Sequence, residues 1–177
     1  MVKAWYMDDS EEDQRLPHRR DDTDVSLEQL AEIGVEYVFV DPKNYKENEK
    51  LEKLRSERGY TYMDQIECCR EKLPNYDARI KAFYEEHLHD DEEVRFILEG
   101  SGYFDVRDKQ DKWIRIFLEG GDLIVMPAGI YHRFTLDRND HVVAVRLFVG
   151  DPVWTPLNRP QENLDVRKEY VAKYINA

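Results

Sequence analysis

The sequence predicts a mainly β fold with flanking helices, a sandwich or barrel built on residues 87–150. Three observations carry that expectation. Beyond His87 the chain runs as short β-prone segments at regular spacing, with Gly or Asp/Asn turn signals between nearly all of them. The first two-fifths read instead as helix with short extended pieces, and Asn163–Ile175 reads as a closing helix. The length of 177 residues, 41% of them hydrophobic, suits one domain that buries roughly 70% of its unfolded surface. Within it we expect a helical N-terminal part over about 1–86, a barrel core over about 87–150, and a tail and helix over 151–177.

In chain order, Val2–Met7 is aromatic and β-prone, and Gln14–Thr23, with Pro17 and dense charge, reads as a polar loop. Ser26 followed by Gln29 is a capping box for a helix over Leu27–Ile33, with Gly34 placed to end it. Val35–Val40 reads as a strand. Tyr45–Arg58 carries Leu51 and Leu54 among charges and is followed by Gly59, which predicts an exposed helix with one apolar stripe. Thr61 and Asp64 have the spacing of a helix start running through Cys69, and Pro74-Asn75 breaks the chain before a helix over Ala78–Glu85. The expected strands are then Val94–Leu98, Tyr103–Val106, Trp113–Leu118, Leu123–Met126, His132–Leu136 and Val142–Val149, with Gly100-Ser101-Gly102 read as a turn. Asp151–Pro160 is an extended tail.

Composition narrows the function. A net charge of −12 repels phosphate backbones and anionic lipid, so neither nucleic acid nor membrane insertion is expected. The two cysteines, Cys68 and Cys69, are adjacent and supply no disulfide framework; packed or idle thiols are the expectation. The N-terminus lacks the apolar core of a signal peptide, no Asn-x-Ser/Thr sequon occurs, and no apolar run approaches the ~18 residues of a spanning helix. A soluble intracellular protein fits these features.

Chemistry concentrates in three of the five histidines. His87 and His89 share a face if extended, because strand side chains alternate, and can hold one metal ion between them. Glu93 has the same parity. Asp90, Asp91 and Glu92 compete with it by composition, and Asp91 shares the parity as well; Glu93 has the advantage of opening a strand and so having a fixed direction. An acidic run beside histidines is usually solvated surface, and His-x-His alone arises often by chance. The second cluster changes that weighing. Gly121-x5-Pro127-x-Gly129-x2-His132 describes a strand ending in a tight turn that returns His132 to the interior.

Together, His87-x-His89-x3-Glu93-x6-Gly100 and Gly121 to His132 resemble the two signature motifs of the cupin superfamily, a double-stranded β-barrel or jelly roll with a metal in its mouth. The Asn often found four residues after the second-motif His is Leu136 here, and that Asn is not a ligand. Three imidazoles and a carboxylate suit a first-row metal in octahedral geometry with two positions open, enough for a substrate to chelate through two oxygens. Further runs narrow the resemblance: Trp5–Asp8, Leu73–Tyr76, Phe83–His89, Gly100–Asp108, Trp113–Arg115, Pro127–Phe134 and Arg146–Gly150 look like acireductone dioxygenase, from the first residues to about Pro160.

The resemblance implies an Fe(II)- or Ni(II)-dependent enzyme of methionine salvage, with one ion per chain held by His87, His89, Glu93 and His132. The family oxidises acireductone, a methylthio enediol ketone, with molecular oxygen. With iron it yields the keto acid precursor of methionine plus formate; with nickel it yields methylthiopropionate, formate and carbon monoxide. Such a site has net charge +1, so a substrate dianion calls for a nearby cation, and Arg95, then Arg146, are the candidates for catalytic roles. Phe134, in parity with His132, and Trp154, in the tail, are candidates for a pocket around the methylthio end. Another metal-dependent cupin enzyme shares the four ligands, and a non-catalytic cupin that binds a ligand or protein is the remaining alternative. The expected state is a monomer in the cytoplasm, with the nucleus as a second compartment; a regulatory protein partner is compatible with the family and is identified by no segment.

Overall fold

A computed structural model describes residues 2–176. The elements in order are β1 (Lys3–Met7), β2 (Arg19–Asp24), α1 (Leu27–Glu32), β3 (Glu36–Phe39), a 3-10 turn (Tyr45–Glu47), α2 (Glu49–Arg58), β4 (Tyr62–Cys68), α3 (Tyr76–Tyr84) and β5 (His87–Leu88). There follow β6 (Glu93–Arg107), β7 (Trp113–Glu119), β8 (Asp122–Met126), β9 (His132–Leu136), β10 (Val142–Phe148), β11 (Leu157–Asn158) and α4 (Asp165–Tyr170), which runs into a π-helical turn (Val171–Ile175). Among the described residues no helix is long and apolar enough to cross a membrane.

Two antiparallel layers share β6. One has the order β2-β1-β7-β6-β9-β5-β11; the other pairs β3-β8-β6-β10-β4. The first half of β6 pairs with β8 and β10, and the second half, from Ser101 on, pairs with β7 and β9. This is the expected jelly-roll arrangement with one local difference. Gly100-Ser101-Gly102 is a corner within one continuous strand and not a turn between two. Gly100 has φ +75°, and a Cβ there would lie 2.0 Å from the His141 carbonyl oxygen, so glycine bends the strand where another backbone crosses closely.

Alternation along β6 and β10 sorts the second layer into two faces. Val94 and Phe96 pack with Leu123, Val145 and Leu147 beneath Leu51 and Leu54 of α2. Burial of those two leucines contributes about 1.5–3 kcal/mol each and holds α2 on the outside of the barrel. The opposite parity, Glu93, Arg95 and Ile97 with Val142, Ala144 and Arg146, therefore faces inward.

Within residues 1–86 the extended pieces expected at Val2–Met7 and Val35–Val40 form as β1 and β3, but two further strands, β2 and β4, lie where a loop and a helix were expected. Tyr62–Cys68, expected as helix, is a strand in unbroken register with β10, from Tyr62 opposite Phe148 to Cys68 opposite Val142. The Thr61-x-x-Asp64 capping pattern is local, whereas the open edge of β10 offers a seven-residue ladder, and the ladder prevails. Arg19–Asp24, expected within a loop, pairs with β1 through Trp5 and Met7; its charge suits an exposed edge strand. The capping box at Ser26 forms as expected, and Gly59 ends α2 at φ +72°. Cys68 is buried, Cys69 is half-buried, and both are free thiols.

Candidate metal centre

His87 in β5 lies directly opposite His132 in β9, and alternation brings His89 to the same side. The ring centroids are 4.5 Å (His87–His132), 5.0 Å (His87–His89) and 5.3 Å (His89–His132) apart. Each Nδ1 lies against a backbone carbonyl: His87 on Glu85 at 2.6 Å, His89 on Thr155 at 3.1 Å, His132 on Ile130 at 3.0 Å. A carbonyl only accepts, so each ring carries its proton on Nδ1 and directs the Nε2 lone pair inward. One ligand atom from each of the three rings can be chosen so that all lie within 4.8 Å of one another.

Glu93 lies beside these rings. Its Oε2 is 2.8 Å from His132 Nε2 and its Oε1 is 3.7 Å from His89 Nε2. The short approach lacks hydrogen-bond alignment, and His132 Nε2 is a buried nitrogen with no donor or acceptor partner. With the proton on Nδ1, a nitrogen lone pair and a carboxylate oxygen face each other, an arrangement that a shared cation would stabilise. The residues thus fit a divalent ion that takes nitrogen and oxygen ligands.

Burial, with His132 beside it, pushes the His87 imidazole down to about 4, and burial likewise lowers His89. Burial alone would raise Glu93, but the Arg95 guanidinium beside it outweighs that and holds the carboxyl well below the usual range. At neutral pH His87 and His89 are therefore neutral donors and Glu93 is a carboxylate.

The surrounding backbone explains the rigidity of this set. Gly129, at φ +85°, donates its N–H to the His89 carbonyl at 3.1 Å and accepts from Arg167 Nη1 at 3.0 Å, so the turn before His132 is tied to the segment carrying His89. Beside His87, Glu86 accepts two bonds from Arg107 at 2.9 Å and one from Arg159 at 2.7 Å.

All eight residues singled out in the sequence line one cavity of about 270 Å³. Arg95 donates to Glu93 Oε1 at 2.8 Å and to its neighbour Val94 O at 3.0 Å. Arg146 makes a bidentate pair with Asp64 at 2.8 and 2.6 Å. Trp154 lies under both guanidiniums, 4.3 Å from Arg146 and 5.3 Å from Arg95. Phe134 packs 4.9 Å from Phe104 and 6.1 Å from Phe83. Of the competing carboxylates, Asp90 and Asp91 are exposed in a bend, and Glu92 accepts from the Tyr60 hydroxyl at 2.8 Å. Sequence reasoning missed Phe83, Phe104 and Asp64. Phe104 sits opposite Phe134 across β6 and β9, which strand parity could have found had the pairing been known; Asp64 was hidden by the helical reading of β4.

A two-layered β-barrel whose interior gathers three imidazoles and one carboxylate beside an apolar cavity defines a metal-dependent cupin enzyme. Comparison with known proteins is narrower still. The model of the ARD/ARD' family matches residues 3–156, and the chain belongs to that family. It is 61% identical over 175 residues to acireductone dioxygenase 2 of Vitis vinifera, covering 98% of this chain and 88% of that one. It is 60% identical over 172 residues to acireductone dioxygenase of Xenopus laevis, covering 97% and 96%. A solved structure of acireductone dioxygenase from Bacillus anthracis, with a cadmium ion in the active centre, superposes with a TM-score of 0.71 at 27% identity, covering 89% of this chain and 98% of that one.

Proposed function

We propose that this chain cleaves an acireductone with molecular oxygen at one iron(II) or nickel(II) ion held by His87, His89, Glu93 and His132. The observation that carries the reading is the donor set: three Nδ1 atoms committed to backbone carbonyls and a carboxylate facing the unpartnered Nε2 of His132. When bound, the ion supplies a Lewis acid and a template for two substrate oxygens. Arg95 and Arg146 place two positive charges on the same cavity wall, where they stabilise an enediolate dianion. Phe83, Phe104 and Phe134 receive the methylthio end and keep water from it.

Two product sets balance for this substrate. Breaking one carbon–carbon bond and adding both oxygen atoms gives the keto acid precursor of methionine plus formate. Breaking two gives methylthiopropionate, formate and carbon monoxide. In our reading iron directs the first and nickel the second: the protein offers both ions the same four ligands, so only the ion itself remains to change the outcome. The test is to strip the protein, reload it anaerobically with either ion, supply acireductone and oxygen, and separate the products. Carbon monoxide should appear only from the nickel form. Identical mixtures from two fully loaded forms would refute metal-directed cleavage, and no turnover by either would refute the substrate.

A further inference from the structure

We propose that Asp64 is a positioning residue for this reaction: its carboxylate fixes the Arg146 guanidinium on the cavity wall, where that cation meets the anionic oxygens of the substrate. The identity of the substrate rests on the reading above. Across the second layer, Asp64 in β4, Arg146 in β10 and Arg95 in β6 are successive cross-strand partners. Two guanidiniums directly opposite on adjacent strands repel, and each is held beside its own acid. Arg95 is held by Glu93, which also faces the histidines. Asp64 contacts none of the histidines; its other side-chain bond comes from the Tyr62 hydroxyl at 2.6 Å.

The contact is suited to aiming a charge. Nε and Nη2 of Arg146 both donate to Asp64, which sets the plane of the fork, and the Trp154 ring 4.3 Å from Cζ covers one face. Among the described residues no acceptor meets Nη1, so one amino group of a cavity-lining cation remains for a ligand. The Arg146 hydrogen bond is the largest influence on Asp64 and helps hold its carboxyl below the usual range, so the pair is ionic at neutral pH. Tyr62 and Phe148 pack edge-on against Trp154 at 6.1 and 5.4 Å, which seats the ring on the same strand pair.

The experiment compares Asp64→Asn, Asp64→Glu, Arg146→Met and the Asp64→Asn/Arg146→Met double variant, each loaded with metal. Asp64→Asn should keep its metal content and melting point while kcat/KM falls about tenfold, mostly through KM, since the substrate is anionic before and during reaction. Asp64→Glu should recover to within about threefold. In the Arg146→Met background, Asp64→Asn should cost nothing more. Metal-free protein labelled with 5-fluorotryptophan gives a readout besides activity: the Trp154 fluorine resonance should move in Asp64→Asn while those of Trp5 and Trp113 stay. If Asp64→Asn folds poorly, Arg146→Lys, which keeps the charge but cannot make the bidentate pair, should show the same tenfold loss. Wild-type kinetics in Asp64→Asn, or losses that multiply in the double variant, would overturn the proposal. A loaded wild-type protein that turns over no acireductone would instead overturn the reading of the site, and the substrate role of Asp64 with it.

Discussion

Acidifying the metal-free protein should destabilise it through His87. Burial, and then the neighbouring His132, take its imidazole from an ordinary 6.5 to about 4 in the fold. Between those two values the unfolded chain binds more protons than the folded one, so stability falls as pH falls. The contribution is intact above pH 6.5 and fully lost below about 4. At 1.36 kcal/mol per pH unit the whole effect is on the order of 3 kcal/mol, of which about 2 is already lost at pH 5. In a chain of this length that is a fall of about 4–8 °C in melting temperature. Acid also changes the protonation of other groups in both states, so the measurement must be a difference. Urea titrations of chelator-treated wild type and His87→Asn at pH 7, 6 and 5 supply it. The asparagine amide can still donate to the Glu85 carbonyl but takes up no proton. The stability gap between the two should change by about 2 kcal/mol from pH 7 to 5. Parallel profiles would refute the reasoning, since they would mean that His87 takes up a proton in the fold at no cost.

Three further outcomes follow from the same geometry. His132→Ala should lose most bound metal, measured by atomic emission after desalting, while its far-ultraviolet circular dichroism stays that of a folded barrel; full occupancy would sink the ligand assignment. Gly129→Ala should cost about 2–4 kcal/mol in urea and weaken metal retention, because φ is +85° and a Cβ would lie 2.6 Å from the Val166 carbonyl oxygen. A variant as stable as wild type would show that this turn relaxes freely. Burial pushes the Cys68 thiol up to about 11, so iodoacetamide at pH 8 should leave it unmodified in the native protein and label it on unfolding, as read by peptide mass; rapid native labelling would contradict the packing of β4.

What the sequence determined by itself is the part of the site written in short-range spacing. Alternation puts His87 and His89 on one side, and Pro127 and Gly129 turn the chain back before His132, as backbone geometry over a few residues dictates. The β5–β9 pairing that sets His132 opposite His87, and the place of Glu93 beyond the bend at Asp90 and Asp91, were decided by the tertiary structure. Alternation also turned Arg95 inward and Phe134 to the side of His132. The capping box of α1 and the glycine end of α2 were legible for the same reason. Tertiary structure decided what depends on partners distant in sequence. Tyr62–Cys68 carries a helix-start signal and becomes a strand because β10, some 80 residues later, has an open edge to pair with. Gly100–Gly102 has the composition of a turn and becomes a corner because the crossing backbone at His141 leaves room for no side chain. The same non-local pairing sets Asp64 against Arg146, and the seating of the tail brings the Thr155 carbonyl to His89 Nδ1. A hydrogen bond to a backbone carbonyl leaves no mark on residue identity, since every residue has one, so only the folded chain could select which carbonyl sets the tautomer of that ligand.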